Sequence, residues 1–244
     1  MPAEAPSPAR VLIAVAAPRE AEAVRAAIGS REEAGPGWAV ESGDRGFDLI
    51  RTGVGKAQAA AAVAWAFDPA RHAGVLSIGV GGALPGSGLP LGAAVLATTS
   101  RFADEGLDTP EGFRPLESIG FSAGAFGEAG RAPTPAWRDV LRPICDAEGP
   151  VATVSTCSGE SRRAERVARQ TGAVVEAMEG AAIAASLALI PAASPAFAEV
   201  RVISNTTGDR ASQRWDLDGA LERLGRLIAG LDGGALAAAA PGRA

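Results

Sequence analysis

Short runs rich in Val and Ile alternate with longer helix-like segments along most of this 244-residue chain. This alternation is typical of a mainly parallel sheet that carries helices on both faces. The patterns predict strands over residues 11–17, 48–52, 75–80, 93–98, 151–157, 173–176 and 200–205. They predict helices over residues 19–28, 57–67, 135–147, 161–171, 179–189 and 217–231. We therefore expect an α/β fold of three layers, α/β/α, around a central mixed, mainly parallel sheet.

The length suits one large α/β domain, and no linker or internal repeat divides the chain. We place this domain at residues 10–232. The tails at 1–9 and 233–244 are rich in Pro, Ala and Gly, so we expect both to be disordered. Residues 99–134 combine Gly, Pro, Phe and acidic residues without a clear period, which predicts a long irregular insertion that is either functional or disordered.

Charge and hydropathy narrow the choice of partners and compartment. The net charge of −5 and the pI of about 5.1 favour neither nucleic acid nor an anionic membrane. No run approaches the roughly 20 apolar residues of a membrane span. The apolar run 11–17 is short for a signal peptide, and a helix start at Pro18 follows it at once. We therefore expect a cytoplasmic protein.

The cysteine and histidine content argues against several kinds of site. Cys145 and Cys157 are the only cysteines, which suits a reducing compartment and argues against a structural zinc site. His72 is the only histidine, and its loop-like surroundings predict a solvated surface residue. A catalytic triad that depends on histidine is set aside for that reason. We predict no metal.

Polar side chains follow two of the predicted strands at their carboxyl ends. Ser204 and Asn205 end one strand, and Met178 and Glu179 lie where another strand turns into a helix. Ligands of open α/β sheets bind beyond the carboxyl ends of the strands. An amide and a carboxylate at two such turns predict a site that binds a polar ring and a pair of hydroxyls. The helix that begins at Glu179 is apolar all round, which predicts that it is buried.

Three glycine-bearing turns, at 52–56, 79–84 and 204–208, follow predicted strands. Glycine allows a backbone to approach a ligand closely. None of the turns has the spacing of a phosphate-binding loop or of a dinucleotide-binding fold. Taken singly, each fits a structural role better than a functional one, and we predict no cofactor.

Five segments, in this order, resemble motifs of the nucleoside phosphorylase/hydrolase superfamily. They are Ile-Ala-Val-Ala-Ala-Pro-Arg-Glu at 13–20, Thr-Gly-Val-Gly-Lys at 52–56, Gly-Val-Gly-Gly-Ala-Leu at 79–84, Ala-Met-Glu-Gly-Ala-Ala-Ile at 177–183 and Arg-Val-Ile-Ser-Asn at 201–205. The Met-Glu-Gly form of the fourth segment, and Asn205 where the nucleosidases have Asp, resemble the futalosine hydrolases. That family is related to the methylthioadenosine/S-adenosylhomocysteine nucleosidases.

The resemblance implies cleavage of an N-glycosidic bond without a cofactor. The expected reaction is hydrolysis of futalosine to hypoxanthine and dehypoxanthine futalosine, a step of menaquinone biosynthesis. Glu20 is expected to position and deprotonate the water, and Asn205 to bond the purine. Glu179 is expected to accept hydrogen bonds from the ribose hydroxyls above Met178. Further substrate-binding residues are expected at Gly81 and Ser204.

Each of these roles has a structural alternative. Glu20 could be a carboxylate at a helix start, Met178 core filler, and Asn205 a turn residue at a strand end. Glu176 is displaced by one position from the glutamate that precedes Met in the nucleosidases, so no role is carried over to it. Residues 155–159 replace the segment that stacks on adenine.

Other functions remain open at this point. They are a purine nucleoside phosphorylase, a nucleosidase of the methylthioadenosine/S-adenosylhomocysteine type, and a non-catalytic nucleoside-binding protein. Phosphorolysis is disfavoured because the arginine-bearing phosphate turn after the first strand is missing. Relatives are oligomers, so the resemblance also implies a homodimer or larger assembly with 99–134 near the subunit contacts.

Overall fold

The structure is a computed structural model that describes residues 9–32, 37–121, 130–190 and 195–241. Its strands are β1 (Arg10–Val15), β2 (Val40–Ser42), β3 (Phe47–Arg51), β4 (His72–Ala83), β5 (Ala94–Phe102), β6 (Gly106–Thr109), β7 (Gly112–Pro115), β8 (Ala147–Thr153), β9 (Val175–Ala177) and β10 (Ala196–Thr206). Its helices are α1 (Pro18–Ile28), α2 (Lys56–Ala66), α3 (Pro135–Leu141), α4 (Ser161–Thr171), α5 (Gly180–Ala188), α6 (Leu217–Ala229) and α7 (Gly233–Ala238).

Eight of these strands form one mixed sheet in the order β10-β5-β8-β9-β4-β1-β3-β2. Parallel pairs join β1 to β3 and β4, β10 to β4, and β8 to β5 and β9. Antiparallel pairs join β10 to β5, β2 to β3, and β4 to β9. Because β10 also pairs with β4, the strands β4, β9, β8, β5 and β10 close into a ring. The predicted mixed, mainly parallel sheet is confirmed.

Helices cover both faces of the sheet. On one face, α1, α6 and α7 contribute Val24, Leu224 and Leu236 to a core with the inward side chains of β1, β4 and β10. On the other face, α2 and α5 pack Val63 and Ile183 against the opposite side chains of the same strands. The three-layer prediction is therefore confirmed. The predicted burial of the apolar helix at 179–189 is confirmed for most of α5, in which six of the nine residues are buried, but not for Leu189, which is 75% exposed.

The structure corrects the predicted helix at 135–147. The α-helix α3 ends at Leu141, a short 3-10 helix follows over Arg142–Ile144, and β8 already begins at Ala147. Pro143 has no backbone N–H for an α-helical bond, and its ring crowds the preceding turn. The chain therefore leaves the helix early and enters the sheet four residues before the predicted start at 151.

The prediction of an irregular insertion at 99–134 is also corrected. Strand β5 runs on to Phe102, and β6 and β7 form a separate antiparallel hairpin, with Thr109 opposite Gly112. Gly112 has φ of 131°, which only glycine adopts readily and which closes this tight turn. Residues 122–129 lie outside the described part.

The predicted disorder of the tail at 233–244 is wrong for residues 233–241. The side chain of Asp232 accepts a hydrogen bond of 2.9 Å from the Ala235 N–H and caps α7. Leu236 is fully buried, and its carbonyl accepts a hydrogen bond of 2.8 Å from Trp137 Nε1. One apolar side chain and one cap thus anchor a segment whose composition resembles a linker. Residues 1–8 and 242–244 lie outside the described part.

The prediction that His72 is a surface residue is wrong. The side chain is 1% exposed, and its Nε2 lies 3.0 Å from Oδ2 of the fully buried Asp48. Its Nδ1 accepts a hydrogen bond of 3.0 Å from the Asp68 N–H. Arg10 and Arg71 also bond Asp48. The hydrogen bond to this buried carboxylate, at the amino-terminal ends of the strands, therefore stabilises the histidine in the core.

The charge of Asp48 is stabilised where it is buried. Burial raises the pKa of Asp48, but hydrogen bonds from His72, Arg71 and Arg10 outweigh that effect and hold the pKa well below its usual range. The cluster lies at the end of the sheet away from the carboxyl ends of the strands, so it has a structural role.

Candidate functional site

A cavity of about 420 Å³ opens at the carboxyl ends of β1, β4, β9 and β10. All six residues that the sequence nominates line it: Glu20, Gly81, Met178, Glu179, Ser204 and Asn205. Its place agrees with the rule that α/β sheets bind ligands beyond the carboxyl ends of their strands. The fold thus gathers residues that are up to 185 positions apart in the sequence.

Glu20 lies in the first turn of α1 and reaches back over the turn that follows β1. Its Oε2 accepts hydrogen bonds from the N–H groups of Ala16 (3.1 Å) and Ala17 (2.8 Å), and its Oε1 accepts one from Val80 (2.8 Å). The bonds to Ala16 and Ala17 fit the helix-start reading, whereas the bond to Val80 fixes the carboxylate across the sheet at the cavity wall. The helix-start reading is therefore confirmed, and the catalytic reading stays a prediction that the position at the cavity allows.

Burial is the main influence on the acidity of Glu20, which is 4% exposed. Burial raises its pKa, while the charge of Arg201 and the N–H donors of Val80 and Ala17 lower it, and the net shift is upward from 4.5. A carboxylate with a raised pKa is a stronger base than an exposed one. This direction suits the predicted role of Glu20 as the base that takes a proton from water.

Arg201 is a buried residue beside the cavity, paired with Glu179, to which sequence reasoning gave no role. It is 2% exposed, and its Nε donates to Glu199 Oε1 (2.8 Å). Its Nη1 lies 3.3 Å from Glu179 Oε2, and its Nη2 donates to Ser77 Oγ (3.2 Å). The signal was present, because Glu199 and Arg201 interrupt an otherwise apolar strand two residues apart. That spacing places both side chains on one face of β10.

Glu179 precedes the first residue of α5 and is held from two sides. Arg201 bonds one carboxylate oxygen, and the N–H of Gly55 donates to the other at 3.1 Å. The predicted glycine turn at 52–56 therefore has an identifiable purpose, since it supplies a backbone donor to this carboxylate. With one bond to each oxygen, Glu179 keeps lone pairs free for two further donors such as vicinal hydroxyls.

Asn205 lies beyond a register shift between Ile203 and Asn205 in β10. Its Oδ1 accepts a hydrogen bond from Ser204 Oγ (2.9 Å), and its Nδ2 donates to the Thr206 carbonyl (2.9 Å). One of its two amide hydrogens is therefore engaged within the protein, and one is left for a ligand. Ser204 is 2% exposed and acts mainly by orienting this amide.

Gly81 and Met178 complete the predicted set. A Cβ on Gly81 would lie 2.6 Å from Val175 Cγ1, so only glycine fits between the strands at this point. The sulfur of Met178 lies 3.3 Å from the sulfur of Cys157, at the cavity wall. Gly81 thus maintains the close packing of the wall, and Met178 gives the cavity an apolar surface.

Further lining residues are ones to which sequence analysis assigned no role. Ser158 and Glu176 form a buried pair, with hydrogen bonds of 2.7 Å and 2.5 Å. At the rim, the guanidinium of Arg210 stacks over the ring of Trp215, 4.5 Å from its centroid, and bonds Gln213. The rim residues Arg210, Gln213 and Trp215 follow the glycine-bearing turn at 204–208, for which sequence analysis favoured a structural role.

Comparison with known proteins identifies the family. The model of the phosphorylase superfamily matches residues 10–231. The chain belongs to the phosphorylase superfamily. A futalosine hydrolase from Streptomyces coelicolor is 33% identical over 222 residues, which cover 88% of this chain and 91% of that protein. The resemblance inferred from the five segments is thereby confirmed.

Solved structures of the superfamily agree with the fold. A 5'-methylthioadenosine/S-adenosylhomocysteine nucleosidase from Neisseria meningitidis, in complex with methylthio-immucillin-A, matches with a TM-score of 0.74 at 19% identity. The match covers 90% of this chain and 96% of the nucleosidase chain. A futalosine hydrolase from Helicobacter pylori matches with a TM-score of 0.73 at 16% identity and covers 91% and 96%. At these identities the structures establish the fold, whereas the roles of individual residues stay predictions.

Proposed function

We propose that this member of the phosphorylase superfamily hydrolyses the N-glycosidic bond of futalosine and releases hypoxanthine. The observation that carries the proposal is one cavity lined by Glu20, Glu179 and Asn205, each held in place by hydrogen bonds to the protein. The relatives named futalosine hydrolase, at 33% to 38% identity, support the choice of substrate.

The three side chains supply what the reaction needs. Cleavage passes through a sugar with oxocarbenium character, as in glycoside hydrolysis. Ionised Glu20 stabilises the positive charge that develops on the sugar, and it then accepts a proton from the water that attacks the sugar. Glu179 fixes the ribose by accepting its hydroxyl hydrogens. Asn205 donates its remaining amide hydrogen to the base, on which negative charge grows as the bond breaks.

The charges of the site favour water over phosphate as the nucleophile. Arg201 is already engaged by Glu179 and Glu199, and buried Glu20 lies on the same side of the sheet. Arg19, next to Glu20 in the sequence, pairs instead with Asp218, and both of these side chains are exposed. A phosphate dianion would therefore meet carboxylates at the place where the nucleophile must lie.

A substrate panel tests the proposal. Futalosine, inosine and methylthioadenosine are incubated with the protein, with and without phosphate, and release of the base is followed by chromatography. We expect phosphate-independent release of hypoxanthine from futalosine at the highest kcat/KM. Strict dependence on phosphate would establish a phosphorylase instead, and binding without turnover of any substrate would establish a non-catalytic protein.

We also propose that the protein is a cytoplasmic homo-oligomer. Within the described ranges, no helix is long and apolar enough to cross a membrane. The surface carries large apolar side chains, with Trp65 59% and Val54 50% exposed, and the ring of Trp65 lies 6.3 Å from that of Trp38. Exposed aromatic clusters of this kind mark contact surfaces. Analytical ultracentrifugation at micromolar concentration is expected to show a dimer or larger species, and a strict monomer would contradict this.

A further inference from the structure

Glu176 is a buried carboxylate at the cavity to which the reaction outlined above gives no task. It is 5% exposed and lines the cavity together with Ser158, which is 3% exposed. Ser158 donates its N–H to Oε1 at 2.7 Å and its hydroxyl to Oε2 at 2.5 Å. Burying a carboxylate is costly unless donors satisfy it. Two donors occupy two of its roughly four acceptor positions, and the others remain for a ligand.

The sheet places Glu176 and Asn205 on either side of the same residue. Gly82 of β4 pairs with Glu176 of β9 in one direction and with Asn205 of β10 in the other. Neighbouring strands lie about 4.8 Å apart, so the backbones of the two residues are roughly 10 Å apart. This separation accommodates a bicyclic base with a hydrogen bond at each of two edges. A Cβ on Gly82 would come within 3.2 Å of the Asn205 amide. Glycine at this position therefore leaves space for a ligand between Glu176 and Asn205.

Asn205 alone is a weak discriminator between bases. Its amide donates one hydrogen to the Thr206 carbonyl, so it has one donor left for the ligand rather than two. A single donor bonds N7 of adenine as readily as N7 of a 6-oxopurine. The two bases differ more sharply at N1, which carries a hydrogen in a 6-oxopurine and a lone pair in adenine.

We propose that Glu176 reads this difference by accepting the N1–H of a 6-oxopurine while Asn205 bonds the opposite edge of the ring. This inference rests on the proposed function, because it concerns the base of that substrate. Ser158 fixes the position of the carboxylate. The carbonyl of Ser158 in turn accepts a hydrogen bond of 3.0 Å from Gln213 Nε2. Adenine would set its N1 lone pair against the carboxylate and leave both acceptors unsatisfied.

Equilibrium binding of free bases tests the proposal without requiring catalysis. Dissociation constants of hypoxanthine, 1-methylhypoxanthine and adenine are measured by calorimetry for the unmodified protein and for Glu176→Gln. We expect the unmodified protein to bind hypoxanthine at least ~10-fold more tightly than either of the other bases, because a charge-assisted hydrogen bond is made only with hypoxanthine. In Glu176→Gln this preference should shrink at least ~10-fold. Gln has the shape of Glu, so the steric cost of the methyl group is the same in both proteins.

Ser158→Ala provides the matched control. It removes one bond to Glu176 but keeps the carboxylate, so hypoxanthine should remain the preferred base. If Glu176 only anchors the loop, both variants should weaken all three bases by a common factor, and that result would overturn the proposal. Equal binding of hypoxanthine and 1-methylhypoxanthine by the unmodified protein would overturn it as well, even if Glu176→Gln does not fold.

The experiments distinguish a failure of the proposed function from a failure of the proposed role of Glu176. Hydrolysis of futalosine by a protein that binds all three bases equally would leave the function standing and refute the role of Glu176. Conversely, the protein could prefer hypoxanthine through Glu176 and yet release no base from futalosine. That result would support the proposed role of Glu176 and refute futalosine as the substrate.

Discussion

Substitution of Gly79 by alanine tests whether the position of Glu20, and not only its charge, controls turnover. Gly79 is a buried residue of β4 in the second glycine-bearing turn. A Cβ there would lie 2.5 Å from Glu20 Oε1 and 2.9 Å from Arg201 Nη1. Ordinary contacts begin near 3.4 Å, so the carboxylate must retreat by about 1 Å. Three backbone N–H donors and the burial of Arg201 resist that movement.

A displacement of about 1 Å in a catalytic group costs on the order of 100-fold in rate. We therefore expect Gly79→Ala to lower kcat for futalosine by about 100-fold, and overpacking to lower the free energy of unfolding by about 1–3 kcal/mol. Single-turnover kinetics and urea unfolding measure the two effects separately. Hypoxanthine affinity should change much less, because Gly79 lies next to Glu20 and Arg201 and not next to Asn205.

Gly225→Ala is the matched control. Gly225 lies in α6, where an added Cβ would make only an ordinary contact of 3.4 Å with the Ala23 carbonyl. Alanine in a helix interior is favoured over glycine by roughly 0.5–1 kcal/mol, so this variant should be as active as the unmodified protein and slightly more stable. A folded Gly79→Ala protein with turnover within threefold of normal would refute the argument that the carboxylate must stay where the structure puts it.

The remaining predictions concern charge at the site and in the core. Glu20→Gln should lower turnover by ~10²–10⁴-fold with base affinity retained, and in the unmodified protein kcat/KM should fall as the pH drops through a Glu20 pKa above 4.5, because only the ionised form is a base; an acidic limb at or below 4.5 would contradict this. Glu179→Gln should raise the KM of the nucleoside at least ~10-fold in steady-state assays, since charge-assisted bonds to the ribose are lost. Asn205→Asp should reduce kcat/KM for futalosine at least ~10-fold, because the buried donor to the base is replaced by an acceptor, and should leave most of the preference for hypoxanthine over adenine, which we assign to Glu176; an unchanged kcat/KM would count against a donor role for this amide. Asp48→Asn should destabilise the protein by about 3 kcal/mol, at the lower end for a broken buried pair because Arg71 keeps part of its solvent contact. The depressed pKa of Asp48 stabilises the fold above the unfolded-state pKa, and this stability is lost as the pH falls through the folded-state pKa, so the loss caused by Asp48→Asn in urea titrations should shrink in acid.

The elements that the sequence predicted well are those with a strong period and a clear boundary. Helix α1 begins at Pro18 and ends before Gly29, which adopts φ of 70°, and the sequence contains both signals. The β-branched run of β10 likewise marks a strand that delivers Asn205 to the cavity. These local signals predicted the two elements correctly because the tertiary contacts of α1 and β10 agree with their local preferences.

The features that sequence reasoning missed depend on contacts between distant residues. His72 is buried because Asp48, 24 positions away, needs a donor, and the composition of the loop carries no trace of that pairing. The tail helix α7 exists because its Leu236 fills a gap in the core and its Asp232 caps it. In both cases a contact between residues distant in the sequence outweighs the local propensity, although the Asp232 cap of α7 is a local signal that the sequence contains.

The buried charges explain why one site suits hydrolysis and disfavours phosphorolysis. Three buried carboxylates, those of Glu20, Glu179 and Glu199, surround the single guanidinium of Arg201, so the negative charge exceeds the positive where the ribose is expected to bind. A positively charged oxocarbenium sugar is stabilised by that excess, whereas a phosphate dianion is repelled by it. The excess is tolerable in the free protein because backbone N–H groups of Ala16, Ala17, Val80 and Gly55 share the charge. These donors belong to the turns after β1 and β3 and to the end of β4, so the fold itself supplies the compensation that a second arginine would otherwise provide. A second arginine would reduce the excess from two negative charges to one and weaken the repulsion of phosphate, so the choice of nucleophile follows from the balance of buried charge.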